Sequence, residues 1–438
     1  MNNPTLQGLT VFVAGSMLAL GQSPAIPGTA PTPTMLTLRQ AEQLAIRNNP
    51  RIAVGQLLAL AEGEVVREQR AAELPTIAGN LTAVEPHSGS RITAGALNNP
   101  IVYERAAGGV SVSQLITDFG RTHNLVGSAE LRAKAQQSIE AATTADIILA
   151  VDQTFYRALG SLEVLKVAQQ TVTARQTTSD QIHALTGAKL KSSLDLSFAN
   201  VNLSEANLLL LDAQNANADA MATLNALLGE EKSATYTLVD ETPSAPTPPP
   251  DNAEPMVTQA FQSRPDLMAV NQDFAAAKKF SSAEHDLKRP TIQALGTVGD
   301  SPVRADQITT PWFGAVGINL SVPIFNGFSF SARAKEADYR ASAAGKQVEQ
   351  LRENIARDVR TTVLHAQSNF QRIAVTQQLL DQANSAFDLA QTRYKFGLSS
   401  IVELSQAQLA QTEAQIAFAT AKYSYQGSLS TLRYQTGQ

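Results

Sequence analysis

The most regular pattern in the chain lies between residues 312 and 324. Trp312, Gly314, Val316, Ile318, Leu320, Val322 and Ile324 fall on one face, and Phe313, Ala315, Gly317, Asn319, Ser321 and Pro323 on the other. A period of two, apolar on one side and small or polar on the other, predicts a strand between two different environments. Val110, Val112 and Ile116 repeat the pattern opposite Ser111, Ser113 and Leu115. Elsewhere the period is that of a helix. Leu351, Ile355, Val359, Val363, Ala366, Phe370 and Ile373 step by three or four, continued by Leu380, Phe387 and Tyr394, over a surface of Gln, Ala, Ser, Asn and Thr. So narrow a stripe buries against neighbouring helices in coiled-coil fashion.

The two halves of the sequence match each other. Asn49-Pro50-Arg51-Ile52 corresponds to Arg264-Pro265-Asp266-Leu267, an offset of 215 (265 − 50), and Leu74-Pro75-Thr76-Ile77 to Arg289-Pro290-Thr291-Ile292 at the same offset. Val112-Ser113 corresponds to Leu320-Ser321 at an offset of 208 (320 − 112), which holds through Asp195 and Glu403, Glu205 and Glu413, and Gly229 and Gly437. The change of seven (215 − 208) falls between Ile77 and Val112, a length variation that a surface loop tolerates.

Each unit therefore reads the same way: one helix (38–73 or 253–288) halted before Pro75 or Pro290, two short strands around a loop, and two very long helices. The long helices are expected at 118–185 with 192–228, and at 327–396 with 400–436. The repeats span 34–241 and 253–438, joined by a stiff Pro-rich linker at 242–252. A helix of ~70 residues is on the order of 100 Å long, which no compact domain holds. Two strands per unit are too few for a sheet with its own core, and open edges need partners. Strands of this kind are satisfied by closing into a barrel across several chains, apolar face to lipid and polar face to a watery lumen. Trp312, Val316, Ile318, Leu320 and Val322 are the expected lipid-facing positions, with Trp312 placed as an interface aromatic.

Composition narrows the function. The 438 residues are 43% hydrophobic but only 5% aromatic, so thin Ala-lined helix contacts are expected in place of a bulky core. A net charge of -5 with scattered Lys and Arg offers no basic patch for nucleic acid. The sequence has no cysteine for a disulfide, a Cys-ligated zinc, a thiol nucleophile or an acyl anchor. His87, His123, His183, His285 and His365 share no metal-ligand spacing, and neither a GxSxG elbow nor a Gly-rich phosphate loop occurs. No metal, cofactor or catalytic constellation is expected, and the chain does not read as an enzyme. The apolar run 9–20 and the Pro-rich stretch to residue 33 read as a secretory signal, although no Lys or Arg precedes Arg39.

Several stretches then carry a resemblance. Leu36-Thr-Leu-Arg-Gln-Ala-Glu-Gln-Leu-Ala-Ile-Arg-Asn-Asn-Pro50, Glu73-Leu-Pro-Thr-Ile77, Leu320-Ser-Val-Pro-Ile-Phe-Asn-Gly327 and Thr392-Arg-Tyr-Lys-Phe-Gly-Leu-Ser-Ser-Ile-Val-Glu-Leu404 together resemble the TolC-like outer-membrane efflux proteins, from about Leu36 to the end. The resemblance implies a mixed α and β fold: long coiled-coil hairpins forming an α-barrel, plus four strands given to a trimeric transmembrane β-barrel. It implies a homotrimer in the outer membrane, reaching into the periplasm, that docks a periplasmic adaptor (membrane fusion) protein and an inner-membrane pump or ABC exporter. Such a duct passes drugs, metals or secreted proteins.

In that family the hairpin tips meet the adaptor, which points to Arg393, Gly397, Leu398, Ser399 and Ser400. Acidic residues past the second tip line the narrow entrance. Glu403 matches one of them, Gln406 stands where another would be, and Asp195 is the counterpart of Glu403 in the first unit. Ser399 stands where members often carry a basic residue. The first tip, 186–193, with Lys189 matching Gly397, reads as a shifted, basic turn. Plainer readings are a helix-terminating turn for the tips, a solvated surface acid for Glu403, and a periplasmic coiled-coil scaffold for the whole.

Overall fold

The computed structural model describes residues 34–87, 104–230, 235–243, 246–303 and 309–438. The expected signal segment and most of the variable loop lie outside them. In chain order the elements are β1 (Thr34–Leu36), α1 (Leu38–Asn48), α2 (Pro50–Ala71), β2 (Thr76–Val84), β3 (Arg105–Thr117), α3 (Arg121–Gly187) and α4 (Ser193–Leu227). They continue with β4 (Tyr236–Leu238), α5 (Glu254–Ser263), α6 (Pro265–His285), β5 (Thr291–Val303), β6 (Trp312–Ser321), α7 (Ser329–Lys395) and α8 (Ile401–Thr436). The order helix, two strands, two long helices thus occurs twice. At about 1.5 Å per residue, the 67-residue α3 and α7 are each on the order of 100 Å long.

The helix expected over 38–73 is two helices, and so is the one expected over 253–288. The breaks fall at Asn49 and Arg264, both extended at ψ near 120°. Each precedes a proline, whose ring forces the preceding residue out of the helical region. Asn49 makes use of the break: its side chain accepts from Arg51 N at 3.0 Å, and Nδ2 donates to Leu227 O at 3.0 Å. Arg264, buried, grips Asp266 through two bonds of 3.0 and 2.7 Å and also donates to Gln435. Gly229 and Gly437, just past the ends of α4 and α8, are left-handed and press on these breaks. A Cβ would stand 2.6 Å from Asn48 O at Gly229 and 2.8 Å from Ser263 C at Gly437.

The main core gathers around the middle of α3, where Ile147, Val151, Phe155 and Leu159 meet Leu36, Ala41, Ala45, Leu224, Leu228 and Leu238. β1 and β4, which the hydrophobic pattern does not announce, pair in parallel and carry Leu36 and Leu238 into it. Beyond the core the helices pack on small residues. Ala199, Ala206, Ala213 and Ala220 of α4 are buried at seven-residue steps, as are Thr376, Ala383 and Ala390 of α7. On α7 the expected seam is buried at Ile355, Val359, Val363 and Ala366, but Leu380, Phe387 and Tyr394 only in part. A seven-residue repeat winds helices into a left-handed supercoil, and alanine lets their backbones close in.

The linker is strapped to the second hairpin. Asp240 accepts from Lys422 Nζ at 2.8 Å and Tyr423 OH at 2.9 Å, and Gln367 Nε2 donates to Pro250 O at 2.9 Å. Burial opposes ionisation of Asp240, yet Lys422, Thr242 and Tyr423 together hold its carboxyl at about 2. A second acidic site behaves oppositely. Glu42 of α1 is pushed up to about 7 by burial and by Asp152 of α3, whose own carboxyl burial also raises.

Two outcomes follow from this packing. Gly437→Ala destabilises the protein by about 1–2 kcal/mol from the left-handed backbone alone, plus the clash with Ser263. Gly397→Ala, equally left-handed at φ 71° but with nothing within 4 Å, suffers only the first cost; equal melting temperatures for the two variants would refute the close approach. For Glu42, a folded-state carboxyl raised above its ordinary 4.5 retains a proton that the unfolded chain loses. Stability therefore falls as pH climbs from about 4.5 to about 7. Thermal scans across that window should be flatter for Glu42→Gln.

Candidate functional site

Four strands form one antiparallel sheet in the order β2-β3-β5-β6. The register pairs Ile77 with Val112, Val110 with Val298, Gly296 with Val316 and Ala294 with Ile318. Directly paired residues share a face. One face therefore collects Ile77, Leu81, Val110, Val112, Val298, Val316, Ile318 and Leu320. The other carries Thr76, Asn80, Ser111, Ser113, Gln293, Thr297, Asn319 and Ser321. In the protomer the apolar face is bare: Leu81 is 88% exposed, Val316 93% and Ile318 73%. Trp312, also exposed, stands on that face at the start of β6. The strand ends at Ser321, so Val322 and Ile324 lie beyond it, exposed, because Pro323 has no N–H to continue a ladder.

Phe313 interrupts the polar face for a steric reason. Its ring lies across two glycines, and a Cβ on Gly299 would stand 2.5 Å from Phe313 Cζ and from Gly108 O. Those glycines admit the ring and the neighbouring strand together. Among the described residues, β2 and β6 at the outer rims each have one edge with no strand beside it.

At the far end of the long helices, two turns reverse the chain with the same hydrogen bonds. Leu190 N donates to Leu185 O, and Leu398 N to Arg393 O, both at 2.8 Å. Lys189 adopts φ 58° and Gly397 φ 71°. The first tip is thus not shifted. Lys189 takes the left-handed position that glycine fills in the second, at a backbone cost of about 1 kcal/mol or more.

The acidic candidates have local duties. Asp195 closes a capping box, accepting from Ser192 N at 3.1 Å and Ser192 Oγ at 2.9 Å. Glu403 N is capped by Ser400 Oγ at 3.3 Å, while its carboxylate pairs with Arg393 at 3.2 Å. Arg393 also donates to Leu398 O at 3.3 Å, so one guanidinium joins the turn to the start of α8. Gln406 is exposed on the next turn, and Ser399 sits partly buried within the reversal.

The two tips also engage each other, which the periodicity does not foretell. Lys191 Nζ lies 4.2 Å from the Tyr394 ring centre, and Asn202 Nδ2 donates to Ser405 Oγ at 2.6 Å. Ile182 and Ala199 of one hairpin pack with Ile401 and Leu404 of the other. Among the described residues no group of three His, Cys, Asp or Glu side chains is arranged to hold a metal ion. No described helix is long and apolar enough to cross a membrane.

Comparison with known proteins places this geometry. The outer membrane efflux protein family matches residues 42–230 and again 256–438. Outer membrane protein TolC of Vibrio cholerae is 24% identical over 419 residues, covering 91% of both chains. Outer membrane protein OprJ of Pseudomonas aeruginosa is 23% identical over 87% of this chain and 80% of its own. Among solved structures, the outer-membrane channel OprN superposes with a TM-score of 0.80 at 18% identity, over 91% of this chain and 89% of that one. The CmeC outer membrane channel of Campylobacter jejuni gives 0.81 at 14% identity, over 91% and 85%. With both halves matched and the two-faced sheet joined to paired helical hairpins, the chain belongs to the outer membrane efflux protein family and is an outer-membrane channel component.

Proposed function

We propose that three copies of this chain close their sheets into one barrel and their hairpins into one tunnel, giving a passive exit duct from periplasm to exterior. The observation that carries this reading is the sheet itself, with two edges open among the described residues and an apolar face bare in the protomer. Within a bilayer every backbone group must be satisfied by protein, which a closed barrel achieves and an open sheet does not. Lipid meets Trp312, Val316, Ile318 and Leu320, and the lumen meets Asn319 and its polar neighbours. The hairpin tips at Lys189 and at Gly397, Leu398, Ser399 and Ser400 dock a periplasmic adaptor, which links the duct to an inner-membrane pump or exporter. The duct itself needs no catalytic step.

At the tunnel entrance the Arg393–Glu403 pair changes what a ring of acids does. Both side chains are about half exposed, so the pair contributes only about 0.2–1 kcal/mol. Its electrostatic effect is larger, because three Glu403 carboxylates come with three counter-charges and the entrance is less cation-attracting than three bare acids.

Two experiments test these assignments. Ile318→Arg should prevent recovery of an outer-membrane trimer, at a cost of about 2–4 kcal/mol for a charge at the bilayer midplane, while Asn319→Arg leaves the trimer intact. Equal recovery would reverse or remove the strand orientation. In planar bilayers under a salt gradient, Arg393→Ala should raise cation preference and Glu403→Ala should lower it. Unchanged reversal potentials in both would place Glu403 away from the conduction path.

A further inference from the structure

Arg175 of α3 sits where a coiled coil puts an apolar side chain. It follows Ala168 and precedes Ile182 at seven-residue steps, and all three are buried. At 7% exposure it forms no ion pair among the described residues, and its Nη1 has no hydrogen-bonding partner. Gln408 of α8, 6% exposed, likewise leaves Oε1 without a partner. Both residues border one cavity of about 120 Å³ between the two hairpins, walled also by Thr171 of α3, Phe387 of α7 and Gln411 and Thr412 of α8. Orphaned buried polar atoms are rare in folded proteins, and two on one cavity point to something held there.

The chemistry of the walls selects the occupant. An arginine in a protein remains charged, and a buried charge is costly unless it is paired. No carboxylate lines the cavity. Glu205 of α4 is exposed; its field only partly offsets the loss of basicity that burial imposes on Arg175. The hydroxyls of Thr171 and Thr412 already donate to Val167 O and Gln408 O, and Gln411 Nε2 donates to Asn384 Oδ1. The Gln408 side-chain amide is held by no described bond, so it can turn its Nε2 towards the cavity at no loss. Gln170 and Gln415, also on the wall, carry amides that can donate or accept, so the one group that fixes the sign of an occupant is the charged Arg175 guanidinium. The space exceeds the ~30 Å³ that a water molecule takes up in the liquid.

We propose that this cavity binds a small monovalent inorganic anion, a halide, which supplies the counter-charge of Arg175 and ties the first hairpin to the second. The site lies about 18 Å from the end of α3, twelve residues at the helical rise, so it is separate from the entrance.

The test uses the full-length, detergent-solubilised oligomer crystallised with sodium bromide replacing chloride. Anomalous density within hydrogen-bonding distance of Arg175 Nη1, lost in Arg175→Gln, is the expected result. In solution, the wild type should melt at a higher temperature in chloride than in gluconate of equal ionic strength, and Arg175→Gln should lose that difference. Glu205→Gln should keep or enlarge it. Water alone at Nη1, bromide density that survives Arg175→Gln, or a carboxylate of a neighbouring subunit on Nη1 would each overturn the proposal. So would loss of the chloride effect in Glu205→Gln, which would make Glu205 the counter-charge. Should Arg175→Gln fail to assemble, the presence or absence of bromide in the wild type decides.

Discussion

A four-stranded sheet whose two outer edges are unpaired among the described residues is the constraint around which the rest of this protein is arranged. Each edge presents backbone N–H and C=O groups that must find partners, and one face presents Leu81, Val316 and Ile318 with nothing over them. The described residues of one chain meet neither need. The fold answers with strands joined to long antiparallel helices, with its main core around the middle of α3 and smaller clusters elsewhere along the helices. A barrel closed between subunits, as proposed above, would meet both needs within a bilayer.

The helices carry a different economy. Alanine and threonine at seven-residue steps hold α4 and α7 against their neighbours with little buried volume per residue. Such a seam adds small increments along its length and leaves room for polar side chains inside it. Arg175 and Gln408 occupy such places, as do Asn202 and Ser405 nearer the tips. Polar groups in a coiled-coil seam fix register and partner more than they add stability. The two hairpins are thus matched to each other by a few specific contacts over a largely uniform surface.

The repeat shows which features the backbone enforces and which vary. Asn49 and Arg264 hold equivalent helix breaks by different bonds, one to a backbone carbonyl and one to a side chain. Lys189 and Gly397 hold equivalent left-handed turns although only one of them is glycine. In both cases proline or the helix-ending hydrogen bonds dictate the conformation, and the side chain adapts. That is why the first tip, which reads as shifted from its residues, superposes in geometry on the second.

Period, repeat and helix punctuation were legible in the sequence because they are local. The two faces of β6, the spans of the four long helices to within a few residues, and the two-residue-type logic of the strands all follow from side-chain direction at fixed spacing. Asp195 reads from the sequence as an entrance acid, whereas the structure shows it closing a capping box with Ser192. Breaks at Asn49 and Arg264 follow from Pro50 and Pro265, although 38–73 and 253–288 each read as one helix. Only the tertiary structure decided the rest: that β1 pairs with β4, that Phe313 covers Gly299, that Arg393 pairs with Glu403, and that Arg175 and Gln408 border one cavity across a seam. Those contacts join residues on different elements, in most cases far apart along the chain, and no periodicity records which of many similar positions will face each other.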